Sequence, residues 1–580
     1  MVLSADHISA YDVFFGAIPF TPAVTIPLSN KAGKNGGLSM DKKTLLAIVL
    51  SLALVMGYQY LFIKKEQPEQ LKATQETVVD TSVKQPTAEK SVIEQAEALQ
   101  QPLVKTGDVS AAGKDINVET PLYSAVFNTR GATLKSFKLK HYQEDITKNS
   151  TPVELVNVTE NMEYPLSISF PKSSINLDPN VIYDARDDSI DLTEQMISEK
   201  QLVFSKTYPG ELQIDKVYTI HAGTYTFDLT VVVTNLSDKI IKQSALLSWN
   251  EYVDPNKELS RYVHEGPISF VKDDIHTEKL KKLDKPKMLG PDVSWGGFES
   301  KYFIASVIPQ QPSLTNLIIS KGDDDVVSVA LVGPNNIILP GQSGTFKYNA
   351  YIGPKEYATL KAEGVGLENS IDYGSWIKWL ALPLLYIMKF VNNYVDNYGV
   401  AIIILTILVK ILFWPLGNIS YRSMKEMQKL QPEIAKIREK FKDDKQRLNQ
   451  EVMGLYRIHK VNPMSGCLPM LIQLPVFFGL YKALLYSIEL RHAHFFLWIQ
   501  DLSAKDPYYI TPIIMGATMF LQQKMTPTPG GDDMQQKLMM WMPVIFTFLF
   551  LNFPSGLVIY WLFNNILSIG QQYLVNKRTS

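Results

Sequence analysis

Five apolar stretches crowd the last third of the chain, at 398–417, 466–488, 508–525, 536–553 and 556–576. Each approaches the roughly 20 residues that a helix needs to cross a bilayer. The first contains the run VAIIILTILVKILFWPL, Val400–Leu416, with Lys410 inside it. A lysine at the centre of a spanning helix costs about 2.5–3.5 kcal/mol on insertion scales, so it either has a task or escapes to the interface. Both readings have support. Lys410 lies six residues from Leu416, about 9 Å along a helix, so its flexible stem nearly reaches the inner boundary. Thr406 lies four residues earlier on the same face and adds polarity deeper in the bilayer.

The bulk numbers remove several function classes. A net charge of −1 over 580 residues gives no global basic field, so no DNA partner is expected. Cys467 is the single cysteine, which excludes an intramolecular disulfide and a thiol–metal cluster. The chain carries no H-E-x-x-H, G-x-x-x-x-G-K-[ST] or G-x-S-x-G signature. Neither enzymatic chemistry nor a cofactor or metal is expected.

Residues 1–39 are broken by Pro19, Pro22 and Pro27 and form no spanning helix. Met40-Asp-Lys-Lys followed by Leu45–Ile63 reads as a signal anchor, 40–64, with Met40 as the expected start and 1–39 as an extension. Residues 65–110, rich in Gln, Glu, Lys and Thr, read as a flexible linker. Strands are expected over 111–365. In the clearest, Tyr225, Phe227, Leu229, Val231 and Val233 alternate with more polar neighbours, so one face is buried. Many such short strands suggest an antiparallel sandwich.

Over 372–396, Trp376, Trp379, Leu380, Pro383, Leu384, Ile387, Phe390 and Val391 recur at helical spacing. They suggest an amphipathic helix at a membrane interface. Residues 418–463 carry eleven Lys and Arg against six Asp and Glu, so the positive-inside rule puts them in the cytoplasm. Alternation then puts both termini inside and the sandwich outside. This segment reads as a helical hairpin. Met427, Leu430, Ile434, Ile437 and Phe441 stripe its first helix; Leu448, Val452, Leu455 and Tyr456 stripe its second. Asp443 and Gln446 stand between them at capping-box spacing. An exposed Met424 would suit adaptable partner contacts.

Thr406, Lys410, Gln473, Tyr560 and Asn564 are polar residues within apolar stretches. If their faces converge, they form a wet pocket in the inner half of the membrane. Lys482, near the outer end of its stretch, is expected to snorkel.

From Asp372 onward the chain strongly resembles the YidC family of membrane protein insertases, bacterial relatives of the mitochondrial and thylakoid insertases. The matching stretches include YGVAIIILTILVK, KVNPMSGCLPMLIQLPVFFGLY, MQQKLMMWMPVIFTFLF and FPSGLVIYWL, in order over about 200 residues. WGGFESKYFIASVIP and YIGP extend the likeness to the sandwich. The resemblance implies a polytopic α-helical membrane protein of six transmembrane helices with a five-helix insertase core. It also implies an all-β periplasmic supersandwich. It implies a non-enzymatic machine in the inner membrane that inserts and folds membrane proteins, alone or with the Sec translocon, through a hydrophilic groove. It implies no nucleotide hydrolysis. Lys410 stands where the family usually has arginine. It keeps the charge and loses the planar fork. The client slide between the third and fifth spans corresponds to Met470, Phe477, Phe546 and Phe550, and the cytoplasmic hairpin to Met424, Met427, Leu430 and Tyr456. Implied partners are nascent membrane proteins, the Sec translocon, the lipid bilayer and the ribosome. The tail NKRTS offers only two basic residues, so ribosome contact is expected to be weak and to rely on the cytoplasmic loops. A small-molecule transporter and a membrane-anchored carbohydrate-binding protein are the competing classes. Solute uptake in liposomes would reveal the first, and sugar binding by the sandwich the second.

Overall fold

The computed structural model describes residues 113–578 except 172–177, 195–196, 257–262, 323, 460, 462–467 and 527–532. The expected extension, signal anchor and linker, 1–110, lie outside the described residues, as does Cys467. The chain divides into two compact units. Pro432–His459 is the described part of one, and the remaining described residues belong to the other.

Residues 115–354 form two five-stranded sheets and a nine-stranded sheet. Thr226–Asn235 runs antiparallel between Leu212–His221 and Ser343–Pro354, with Leu229 opposite both Tyr218 and Tyr348. Phe227, Leu229, Val231 and Val233 are buried while Asp228, Thr230, Val232 and Thr234 are half-buried, as period-two alternation requires. The opposing sheet is built on Ile241–Tyr252 paired with Val326–Ile338. One apolar cluster takes residues from all three sheets, among them Phe137, Phe227, Trp249 and Leu331. In the stretch WGGFES the second glycine is sterically demanded. A Cβ on Gly297 would stand 2.0 Å from the Ala305 carbonyl oxygen on the neighbouring strand.

The helices are α1 (Tyr357–Ala362), α2 (Lys378–Val395), α3 (Tyr398–Leu412), α4 (Trp414–Lys429), α5 (Gln431–Lys440), α6 (Lys445–Ile458), α7 (Leu468–Tyr486), α8 (Ile510–Met525), α9 (Asp533–Phe550) and α10 (Ser555–Arg578). A second apolar cluster joins the sandwich to them. It contains Trp295, Ile304 and Tyr351 of the strands with Leu384 of α2, Leu405 of α3, Leu480 of α7 and Leu557 of α10. Ion pairs ring this junction. Lys355 meets Glu299 at 2.6 Å with both side chains buried. Lys389 of α2 reaches Glu356 at 2.9 Å and Glu489 at 2.5 Å. Lys482 of α7 donates to Asp372 at 2.5 Å, and Arg491 donates to the carbonyl oxygens of Gln143 and Glu144.

Three expectations are corrected. First, the single apolar stripe of α2 is split. Ala381, Leu384, Leu385 and Met388 are buried in the shared core, whereas Trp379, Ile387 and Phe390 are exposed. The helix therefore has an apolar face for the protein and an aromatic face for its surroundings. Second, 418–463 is not a two-helix hairpin. α4 starts at Trp414, bent 65° from α3, and α5 and α6 follow. Pro432, lacking an N–H, opens α5 and divides the expected stripe between α4 and α5. The cap of α6 is Asp444 rather than Asp443, its side chain accepting from the Arg447 N–H at 3.0 Å. Third, Met424 is buried, packed with Tyr421 and Val575, so it is not free for adaptable contacts.

Among the described residues no single helix is long and apolar enough to cross a membrane. The bent pair α3–α4 meets that test together, and Met540–Phe550 is a shorter apolar segment.

Candidate functional site

A recess of about 470 Å³ opens where α3, α4, α7 and α10 meet. Val409, Phe413 and Val476 give it apolar wall. Lys410, Gln473, Asn564, Gln571 and Tyr421 give it polar wall, and among the described residues no carboxylate lines it. The Lys410 ammonium donates to the Ser568 hydroxyl at 2.6 Å, and that hydroxyl donates to the Asn564 carbonyl at 2.7 Å. Gln571 donates to the Trp414 carbonyl at 2.9 Å and to Asn418 at 3.0 Å, tying α10 to the start of α4. Gly417 permits this approach, since a Cβ there would stand 2.7 Å from the Gln571 amide nitrogen.

The five polar residues singled out in the sequence separate into two groups. Lys410, Gln473 and Asn564 line the recess. Thr406 is buried and donates to the Ile402 carbonyl of its own helix at 2.7 Å, so its hydroxyl is already committed. Tyr560 is buried in the helical core. Its hydroxyl has no hydrogen-bond partner among the described residues. Ser568, Gln571 and Tyr421 were missed. Ser568 and Gln571 lie one and two turns beyond Asn564 on α10, so extending that helix face would have found them. Tyr421 carried no signal, because the 65° bend that returns α4 to the site is not written in any single residue.

Of the slide residues, Phe477, Phe546 and Phe550 gather round Trp561 of α10. Their ring centroids lie 4.8, 6.2 and 5.4 Å from it. This stack ties α7 and α9 to α10. Met470 is in the first turn of α7, where side chains lie outside the described residues. Met427, Leu430 and Tyr456 are buried. At the opposite end from Lys410, the turn between α9 and α10 is fastened. The Ser555 hydroxyl donates to the Ala504 carbonyl at 2.8 Å and the Gly556 N–H to the Leu502 carbonyl at 3.0 Å.

The YidC periplasmic domain family matches residues 115–387, and the 60Kd inner membrane protein family matches 390–580. The membrane protein insertase YidC of Syntrophus aciditrophicus is 59% identical over 93% of this chain and 100% of its own length. That of Geobacter metallireducens is 42% identical over 93% and 98%. The chain belongs to the YidC family of membrane protein insertases. A solved structure described as an active YidC insertase with its first transmembrane domain resolved is 19% identical, with a TM-score of 0.36, over 83% of this chain and 99% of that one. As a YidC insertase, this is an inner-membrane protein whose β-rich sandwich is periplasmic and whose C-terminal helical region is the insertase part. Its substrates are membrane proteins and its surroundings are lipid.

Proposed function

We propose that this insertase works through the Lys410 recess, as a polar half-channel that lowers the barrier for a client's hydrophilic tail. The observation that carries the reading is one cation bonded, among the described residues, to a single neutral hydroxyl, in a recess whose described lining has amides and no carboxylate. A short polar or acidic tail faces a large desolvation cost in hydrocarbon. Water and a cation within the recess offset part of it. The client's apolar segment then leaves along the aromatic face of α7 and α9, and burial of its apolar surface in lipid drives release. This scheme uses no nucleotide.

In this reading five spans are made by α3, α7, α8, α9 and α10, and residues 40–64 supply a sixth. Both termini and the segment 418–463 are cytoplasmic. The exposed Trp376, Trp379, Phe390 and Tyr394 lie at the outer interface. The Sec translocon and, weakly, the ribosome are partners, the latter through the cytoplasmic segment. The test is insertion of a small single-spanning client into liposomes holding only the purified protein, without ATP. Protected client should accumulate with wild type and fall with Lys410→Ala. Equal yields from both, or from empty liposomes, refute the proposal.

A further inference from the structure

A second recess, of about 590 Å³, lies at the other end of the helices, under the sandwich. Lys301 enters it from the turn between two strands of the nine-stranded sheet. Lys505 enters it from the loop before α8, where it bridges to Pro554 in the α9–α10 turn. Ser503 and Asn552 add a hydroxyl and an amide; Leu485 of α7 and Phe553 give an apolar wall. Among the described residues no carboxylate lines the recess. Neither ammonium lies within 4 Å of a carboxylate among the described residues, unlike Lys355, Lys389 and Lys482 at the same junction. Each instead stands near a ring, Lys301 4.6 Å from Tyr302 and Lys505 5.9 Å from Tyr509. Burial pulls Lys301 down to about 8, with Asp501 and Glu265 pulling the other way, so it is largely charged at neutral pH.

Two cations with no carboxylate within 4 Å among the described residues, beside neutral donors, suit a singly charged oxyanion held by several donors. The apolar wall suits a molecule with a hydrocarbon part. Leu549, on the rim, is 46% exposed and continues that wall away from the lysines. We propose that this recess binds the phosphodiester of an anionic phospholipid from the outer leaflet of the inner membrane. Its phosphate lies between Lys301 and Lys505 and its acyl chains along Phe553 and Leu549. The choice of leaflet rests on the topology proposed above. Charge complementarity selects an anionic lipid over a zwitterionic one, and the apolar wall selects a lipid over free phosphate.

The test uses the purified full-length protein with equimolar dioleoyl phosphatidylglycerol and dioleoyl phosphatidylcholine, read by native mass spectrometry. Wild type should retain phosphatidylglycerol in preference by at least roughly fivefold, the scale set by one basic residue near an anionic surface. K301Q/K505Q should lose the preference and K301R/K505R should keep it. Equal retention of the two lipids by wild type, or unchanged preference in K301Q/K505Q, overturns the proposal. So does millimolar inorganic phosphate that raises the melting temperature as much as dihexanoyl phosphatidylglycerol does, because the site would then take a small anion. A photo-crosslinking residue replacing Asn552 should capture lipid; capture of an acidic client tail instead also overturns it. Wild-type insertion measured in the same preparation separates failure of the insertase topology from failure of the lipid site.

Discussion

Among the described residues Lys410 makes one hydrogen bond, to Ser568, and that economy shapes what its substitutions should do. Arginine at 410 should insert clients as wild type does, since charge is retained. Alanine should reduce insertion of clients with acidic tails by roughly tenfold, because attraction to a cation is worth more in a low-dielectric recess than in water. Clients with neutral tails should be less affected, and Lys410→Glu should be worst for acidic ones. Ser568→Ala should cost less than threefold, about 0.6 kcal/mol, since the ammonium stays and water replaces the hydroxyl. Protease-protection assays on paired acidic and neutral clients check all four. If Ala matches wild type for every client, Lys410 merely snorkels. A different lysine gives a pH signature. Lys216 is fully buried, donates to the carbonyls of Gly131 and Leu166 at 2.9 and 2.8 Å, and is pushed down to about 7 by burial. The folded state therefore binds fewer protons than the unfolded one between about pH 7 and the ordinary lysine value near 10.5. Stability from this site should rise across that window, by at most about 1.4 kcal/mol per pH unit. Hydrogen exchange along Leu212–His221 should show wild type gaining on Lys216→Met as pH rises; a constant gap would refute it.

At the scale of elements, α2 shows what sequence can and cannot say. Its helical period was plain, but a period cannot say which apolar residues face protein and which face lipid. Burial of Ala381 and Met388 with exposure of Trp379 and Phe390 depends on distant partners, such as Trp295, 86 positions before Ala381, and Leu480, 99 after it. The strand at Thr226–Asn235 was legible residue by residue, because period two leaves only one choice of face. Pro432 is visible in the sequence, and a residue lacking an N–H is able to split the stripe of 427–441 between two helices. At the site, Lys410, Gln473 and Asn564 stood out as polar residues in apolar runs. Thr406 stood out equally, yet its hydroxyl can be satisfied within its own helix, and no spacing rule reveals that. The clamp at Lys389 belongs to this scale too. Lys389→Ala leaves Glu356 and Glu489 without their shared cation and should cost about 1–2 kcal/mol, allowing for partial exposure. The melting temperature in detergent should fall by several degrees. Removing both carboxylates as well, with Glu356→Gln and Glu489→Gln, should restore most of it; no restoration would mean that the loss came from packing of the lysine stem.

For the whole molecule, the sandwich and the helices share a core, so removing one alters the other without stopping it. Deletion of 115–340 strips Trp295 and Ile304 from the cluster that also holds Leu384, Leu480 and Leu557. The remaining helices should melt at a lower temperature, yet insert clients at much the same yield per folded molecule. Deletion of 432–459 should do the reverse and abolish insertion with little change in melting. Loss of activity in the first variant with survival in the second would reverse these roles.

The bonds that hold the α9–α10 turn to residues 502–504 have a mechanical meaning as well. With Lys482 and Lys389 tied down at that same end, the helices are riveted at their tips. At the Lys410 end, among the described residues, α10 is held by the bonds from Lys410 to Ser568 and from Gln571 to the start of α4. In the function proposed above, a thermal fluctuation would part the helices like tongs, fixed at this pivot and open at the Lys410 jaws. On that proposal ordinary Brownian motion would choose the side of entry, with no fuel spent on the choice.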